Sequence, residues 1–581
     1  MIEKIRQKLT RSQMLMFVSV IIGFVTGVAS VILKYLVHYI QMFLQRDWGF
    51  TGQGYIITIF PMIGILLTVI FVKVVLKGKL GRGIANVLYE ITNKASIVHK
   101  DKMYSHAATS ALTVGFGGSA GLEAPIVVTG SAIGSNIAKY FGLGYKDRTI
   151  LLAAGAAAGI SAVFNAPITG VIFALEVILI STAVVEFIPI ILASVVGALI
   201  SKIVFNEDLL FIFTMQESFN YYNMPYYLIL GILCGFISLY YARMSHYIEG
   251  IFAKFGNHIY MKAIVGGLLL SFLYLLFPTI FGEGYNSVKL LATGQFDRVF
   301  NNSIVSYYLS NEWFYIFFIG AIALIKVIAT SITIRSGGNG GNFAPSLFIG
   351  AYTGFFFASL INKLNISSLP VSNFILVAMA GILSGVFYAP FTGIFLIAEI
   401  TGGYELILPL MLVSAISYIF TKHFEPYSME TKKLAEKGKI FTDDKDLNVL
   451  KLLRTSKIIE NDFVPIKEDG YLSDLIEAIK LSRRNSYPVL NESKQLVGLV
   501  DLDEVRALIF KPELYDKITI KEIMMIPDTI VSVNEPMTSV IKKFDQSKHW
   551  ILPIVDEFNV YLGFVSRSHI FNKYRKLIKE I

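Results

Sequence analysis

The chain has 581 residues, 54% of them hydrophobic and 16% charged, with a formal net charge of +9. A soluble globular protein of this length does not carry so apolar a composition, so the sequence reads as a polytopic membrane protein. Basic loops on one side of a membrane account for the charge without a nucleic-acid partner, and the single cysteine, Cys234, excludes an intrachain disulfide.

Lys4, Arg6, Lys8 and Arg11 precede an apolar run over residues 14–44. That run is too long for a signal peptide, which predicts an uncleaved helix with its N-terminus in the cytoplasm. Further apolar segments follow at about 55–76, 104–117, 125–140, 148–163, 167–205, 225–247, 262–282, 313–334, 344–363, 370–398 and 405–420. Several fall short of the ~20 residues of an upright span and others exceed one span. Uneven lengths broken by Gly and Pro predict tilted and discontinuous helices.

Within this apolar sequence stands Gly121-Leu122-Glu123-Ala124-Pro125, preceded by Gly115, Gly117, Gly118 and Ser119. A carboxylate at membrane depth is costly and is a functional candidate by default. Proline suits the first turn of a helix, and a helix that starts inside the membrane points unpaired N–H groups and its positive dipole end into a dry place. That is an anion site. The alternative is a Gly/Pro kink whose Glu pairs with a base elsewhere.

The membrane part repeats itself. Gly121-Leu-Glu-Ala-Pro125 has a counterpart in Gly341-Asn-Phe-Ala-Pro345, and Asn165-Ala-Pro-Ile-Thr-Gly170 in Tyr388-Ala-Pro-Phe-Thr-Gly393. Glu176 and Glu399 each follow the proline of their motif, Pro167 and Pro390, by nine residues. The repeat halves span about 13–205 and 225–422, and such halves meet at a binding site near mid-bilayer. If each crosses the membrane an odd number of times, they are inverted and both helix ends aim at one centre.

Beyond the membrane part (1–433) and a polar linker (434–445), residues 446–581 alternate like a soluble domain and also repeat. Pro488-Val-Leu reaches Gly498-Leu-Val in ten residues, as Pro553-Ile-Val reaches Gly563-Phe-Val. Two units of helix, strand, turn, strand and helix are expected, at about 446–512 and 513–581, in the cytoplasm. No nucleophile–base pairing, phosphate loop or metal-ligand spacing stands out; His99, His106, His258 and His423 are not spaced as ligands. An enzyme, a metal site and a required cofactor are not expected.

Together these motifs, with Glu399-Ile-Thr-Gly-Gly-Tyr-Glu-Leu-Ile-Leu-Pro409, make residues 15–581 resemble the CLC family of chloride channels and proton/chloride exchangers, joined to a C-terminal pair of CBS modules. The resemblance implies an all-α polytopic membrane fold of two inverted repeats with broken helices, plus an α/β CBS pair. It further implies a homodimer in the plasma (inner) membrane, both termini cytoplasmic, each subunit carrying chloride or a similar small anion. Glu123 matches the family's gate, a carboxylate that competes with an anion for the same N–H groups. The amides of Leu122, Glu123 and Ala124 are then expected to line an outer site, and those of Asn342, Phe343 and Ala344 a central one.

Three departures from the family pattern matter. The inner glycine–serine–glycine motif is Gly81-Arg82-Gly83, so a serine hydroxyl is replaced by arginine. Arg82 either attracts an anion at the inner mouth or snorkels to the interface while backbone amides bind. Exchangers carry a second acid after the Asn165-Ala-Pro motif, where this chain has Val177 beside Glu176. Valine relays no proton, which favours a channel over an antiporter using another proton route; Glu176 is read as a packing or hydrogen-bonding residue. Finally, the segment 426–434 aligns in two registers, facing either Tyr427 or Glu430 to the central site. Tyr427 is preferred because a hydroxyl donates to an anion, whereas an ionised Glu430 repels it and acts as a second plug.

CBS pairs often bind adenine nucleotides. The matching positions here are Asp501 and Glu504 in the first module and Ser566 and His569 in the second. Glu504 is placed to hold a ribose and Ser566 a ribose or phosphate, while Asp501 opposes a phosphate. A docking platform without nucleotide is the alternative. A nucleotide-sensing membrane protein with a vestigial pore is the rival of a different class.

Overall fold

The computed structural model describes residues 9–45, 57–78, 80–81, 83–179, 186–204, 219–295, 299, 311–436, 453, 455–547 and 549–580. Arg82 and most of the expected linker 434–445 lie outside the described residues. The chain divides into two compact units, Met1–Ile440 and Phe441–Ile581.

The first unit is helical. Its helices are α1 (Arg11–Gln45), α2 (Phe60–Val74), α3 (Gly83–Asn93), α4 (Lys102–Gly115), α5 (Glu123–Tyr140), α6 (Tyr145–Phe164), α7 (Pro167–Phe173), α8 (Ile188–Val204) and α9 (Met224–Ala253). There follow α10 (Ile259–Leu276), α11 (Tyr285–Ala292), α12 (Glu312–Arg335), α13 (Phe343–Lys363), α14 (Val371–Phe387), α15 (Pro390–Ile400), α16 (Ile407–Phe424) and α17 (Lys432–Glu436). Among the described residues, eight helical stretches are long and apolar enough to cross a bilayer, and four shorter apolar stretches accompany them. The 35-residue α1 exceeds the ~20 residues of an upright span, as a tilted helix does. This is an integral membrane protein.

The apolar run expected over 370–398 is broken at Tyr388 as the expected segments 148–163 and 167–205 are parted at Asn165, and local residues give the reason in both places. Asn165 and Tyr388 end α6 and α14 in the left-handed conformation, with φ of 54° and 59°. Pro167 and Pro390 then open α7 and α15, where a missing N–H costs nothing. Asn adopts this conformation readily and Tyr does not; the Tyr388 hydroxyl is tied to the Glu425 carbonyl. Helices α3 and α11 fall in stretches that were not read as apolar segments.

Close helix contacts rest on glycine in both halves. A Cβ at Gly155 on α6 would run into the Gly130 carbonyl on α5, and one at Gly354 on α13 into the Phe374 carbonyl on α14. Where lipid is as apolar as a side chain, such close backbone approach supplies the packing attraction that holds helices together.

The second unit contains two sheets built alike. In the first module, β1 (Ile466–Lys467) runs parallel to β2 (Ser486–Leu490), which pairs antiparallel with β3 (Leu496–Asp501). In the second, β4 (Val531–Ser532), β5 (Ile551–Val555) and β6 (Tyr561–Ser566) repeat that order. Helices α18 (Leu472–Leu481) and α19 (Leu502–Val505) belong to the first module, and α21 (Met537–Ser547) and α22 (Arg567–Glu580) to the second, with α20 (Ile520–Ile523) between them. The β2–β3 register shifts at Val489/Leu490 and the β5–β6 register at Ile554/Val555, so even the irregularity repeats. The short strand that opens each module is an addition to the order read from the sequence. The modules join through backbone pairs: the Leu496 N–H donates to the Asn559 carbonyl and the Tyr561 N–H to the Lys494 carbonyl, each at 3.1 Å.

Gly155→Val is expected to cost about 1–3 kcal/mol by overpacking the α5–α6 contact, read as a lower thermal midpoint in detergent. Gly144→Ala, at a glycine with nothing within 4 Å of an added Cβ, is expected to leave that midpoint unchanged.

Candidate anion site

The two motifs that the repeat singles out meet. The Gly121 N–H donates to the Gly341 carbonyl at 2.9 Å and the Gly341 N–H to the Gly121 carbonyl at 2.8 Å, in antiparallel sense. Directly after this bridge begin α5, at Glu123, and α13, at Phe343. An added Cβ at Gly121 would collide with the Glu123 carboxylate, and one at Gly341 would lie 2.7 Å from the Ala124 methyl group. The loops leading in are held crosswise. The Ser119 N–H donates to Thr333 Oγ1 on α12 at 3.1 Å, and the Asn339 N–H to Thr113 Oγ1 on α4 at 2.9 Å. Each half thus positions the other half's helix entry. The first turn of a helix has no intrahelical acceptor for its N–H groups, so two sets of donors open beside one bridge.

Glu123 fills this place. It is 1% exposed; the Tyr285 hydroxyl donates to its Oε1, and the Ala344 N–H lies 3.4 Å from its Oε2. The carboxylate therefore reaches from the start of its own helix to the start of α13. Leu122, Ala124 and Ala344 are all buried around it.

Four residues of the surroundings went unremarked in the sequence. Tyr285 opens α11 directly after the Gly282-Glu283-Gly284 turn. Glu283 Oε1 accepts the Leu122 N–H at 3.2 Å. Lys326, fully buried on α12, donates to the Ile280 and Gly282 carbonyls at 3.0 and 2.8 Å. Lys34, half-buried on α1, donates to the Val163 carbonyl at 2.6 Å. Both lysines act electrostatically on Glu283, and Lys34 also on Glu123. The signal was available: Lys34 and Lys326 are isolated charges inside apolar runs, which alone marks a residue at membrane depth.

On another side of the same α13 terminus, Phe343 is 1% exposed and packs against Phe164, Phe387 and Phe173, with ring centroids 5.4, 5.5 and 6.2 Å away. Asn342 donates to Glu430 Oε1 at 3.2 Å and accepts from the Tyr241 hydroxyl at 3.2 Å. The preference for Tyr427 at this place is corrected. Tyr427 is 45% exposed, whereas Glu430 reaches the α13 terminus and its Oε2 lies 3.3 Å from an added Cβ at Gly83. The short turn after Glu425, held by the Thr431 N–H on the Ser428 carbonyl, turns residue 430 inward and 427 outward. Gly81 and Gly83 both have positive φ, 69° and 59°, around Arg82.

Glu176 and Glu399 form a reciprocal pair. Glu399 accepts the Ile168 and Thr169 N–H groups at 2.9 and 2.7 Å and the Thr169 hydroxyl at 2.5 Å, at the start of α7. Glu176 accepts the Phe391 and Thr392 N–H groups at 3.1 and 2.8 Å and the Thr392 hydroxyl at 2.7 Å, at the start of α15. Each carboxylate caps the proline-led helix of the opposite half. Val177, 4% exposed, lies beside Glu176 on a π-helical turn over Ala174–Ile178.

In the second unit, Glu504 is exposed. Ser566 is not open to a phosphate as expected: its hydroxyl donates to Glu460 Oε1 at 2.5 Å and its N–H to the same oxygen at 3.1 Å. A carboxylate already occupies that donor pair. Asp501 caps α19 by accepting the Asp503 N–H at 3.1 Å.

Glu399→Gln removes the charge from three hydrogen bonds and is expected to cost about 1–3 kcal/mol, measured as a lower thermal midpoint. Glu176→Gln is expected to cost a similar amount, since its contacts mirror those of Glu399.

The family model described as voltage-gated chloride channel matches residues 63–422, and the CBS-domain model matches residues 520–576. Chloride channel protein CLC-f of Arabidopsis thaliana is 32% identical over 322 residues, which is 52% of this chain and 39% of that protein. The H(+)/Cl(−) exchange transporter ClcA of Klebsiella pneumoniae is 31% identical over 317 residues, 52% of this chain and 61% of that protein. The chain thus spans less than two thirds of each of these relatives. The crystal structure of a slow cyanobacterial Cl−/H+ antiporter shares the fold, with a TM-score of 0.64 and 21% identity, over 74% of this chain and 99% of that one. With its two crossed helix entries and its repeated C-terminal modules, the chain belongs to the voltage-gated chloride channel family, CLC, and carries a C-terminal CBS pair.

Proposed function

We propose that the chain transports chloride or a similar small anion across the membrane, with Glu123 as a protonatable gate in each subunit of a homodimer. One observation carries this reading: the Glu123 carboxylate occupies the donors where α5 and α13 begin beside each other. Those donors suit any small monovalent anion, and carboxylate and anion exclude each other there. Protonation removes the charge that the donors attract, so the side chain leaves and an anion enters.

The transport is passive in this reading. Val177 is buried and carries no proton, and the neighbouring Glu176 is committed to the start of α15. Proton-coupled antiport is the second reading, favoured by Glu430, a carboxylate in contact with Asn342 that offers a proton route independent of residue 177. The CBS pair fits a docking role better than a nucleotide role, because Glu460 holds the Ser566 donors.

In reconstituted liposomes, wild-type chloride efflux is expected to rise as pH falls, by at most about tenfold per pH unit for a single titrating gate. Glu123→Gln is expected to carry a flux that no longer responds to pH. The reversal potential at a fixed chloride gradient is expected to stay in place when a pH gradient is imposed. A shift would replace the channel reading by antiport, and absence of flux in both proteins would defeat transport.

A further inference from the structure

Glu283 sits where an anion would. Its Oε1 takes the Leu122 N–H at the entry to α5, while Glu123 is turned to Tyr285 and Ala344. The two carboxylates therefore fill different backbone donors of one site. Among the described residues, the charged and titratable groups facing Glu283 are Glu123 of α5, Lys34 of α1, Lys326 of α12 and Tyr285 of α11. Lys326 is fastened by two carbonyls, those of Ile280 and Gly282, to the loop that carries Glu283. Lys34 is fastened to the Ala162 and Val163 carbonyls at the end of α6.

With all four ionised, two lysines and two carboxylates sum to zero. Away from water an unbalanced charge is expensive, because little solvent screens it. Protonating Glu123 leaves this group with one positive charge in excess. A mobile anion restores the balance, and next to the Ala344 amide that Glu123 leaves, the Leu122 amide that Glu283 holds is the second donor it meets.

We propose that Glu283 is a second gating carboxylate, which holds the Leu122 amide in place of a transported anion and is displaced by that anion when Glu123 is neutral. This rests on the reading of Glu123 as the gate. It makes the occupied state at this step a neutral cluster, with one proton resting on Glu123 and one monovalent anion bound beside it. It also gives Lys34 and Lys326 a shared role as fixed counter-charges.

Chloride binding to the purified full-length protein, measured by titration calorimetry at neutral pH, tests the proposal. Glu283→Gln replaces the charged acceptor of the Leu122 N–H by a neutral one that an anion displaces more readily and leaves the cluster positive, so it is expected to bind chloride about tenfold more tightly, the scale of one charge-assisted hydrogen bond. Glu283→Asp keeps the charge but draws the oxygen back by one methylene, and an intermediate affinity is expected. It decides the matter alone if the Gln variant fails to fold. Affinities equal to wild type, or weaker, overturn the proposal. The calorimetric result is independent of flux: tighter binding by Glu283→Gln stands even if neither wild type nor Glu123→Gln moves chloride, an outcome that counts against the transport reading alone.

Discussion

The membrane unit depends on a pair of backbone hydrogen bonds between Gly121 and Gly341. A helix that begins in the middle of a bilayer leaves several N–H groups without partners, at a cost of the order of 1–3 kcal/mol for each buried group. Two such helices begin here beside one residue pair, and the bridge satisfies the donor just ahead of each helix. It leaves the next donors facing a common place, where carboxylates of the same chain stand in for a solute. Glycine is required at both bridge positions, because a Cβ on either would press on Glu123 or Ala124.

The rest of the architecture follows by exchange between the halves. Thr113 of the first half holds the loop of the second, and Thr333 of the second holds that of the first. Glu399 caps α7 and Glu176 caps α15. The entries to α5, α13, α7 and α15 are thus each held by the opposite repeat. A site formed this way lies where the two halves meet. It is closed by side chains that belong to neither repeat motif, Tyr285 and Glu283 on one side and Glu430 on another. Asymmetry enters at the site while symmetry governs the scaffold. That division allows the acids around one binding place to differ while the helix ends stay fixed.

The charges at membrane depth obey the same economy. Lys34, Lys326, Glu123 and Glu283 balance one another, and both lysines rest on backbone carbonyls freed where helices end or loops turn. Exposed ends of broken helices supply both donors for the acids and acceptors for the bases. In the second unit the same logic appears in Glu460, which pairs with Arg484 at 2.8 Å and takes the Ser566 hydroxyl, joining the start of one module to the last strand of the other.

Repeat spacing, glycine clusters and proline positions made the broken helices, the crossed motifs and the doubled C-terminal module legible in the sequence. These features arise from local backbone chemistry: left-handed ends at residues 165 and 388, proline starts two residues later, and a carboxylate nine residues beyond each proline. The tertiary structure alone decided which distant groups reach the site. Glu430 rather than Tyr427 meets Asn342 because a turn at residues 428–431 sets the direction of each side chain, whereas the sequence allowed two registers and its chemistry favoured Tyr427. Glu283, Tyr285, Lys34 and Lys326 converge from three separate elements and the turn at 282–284, and no spacing along the chain encodes that convergence. Local rules fix where a helix must start, whereas the partner that neutralises a buried charge is fixed only by packing the whole membrane unit.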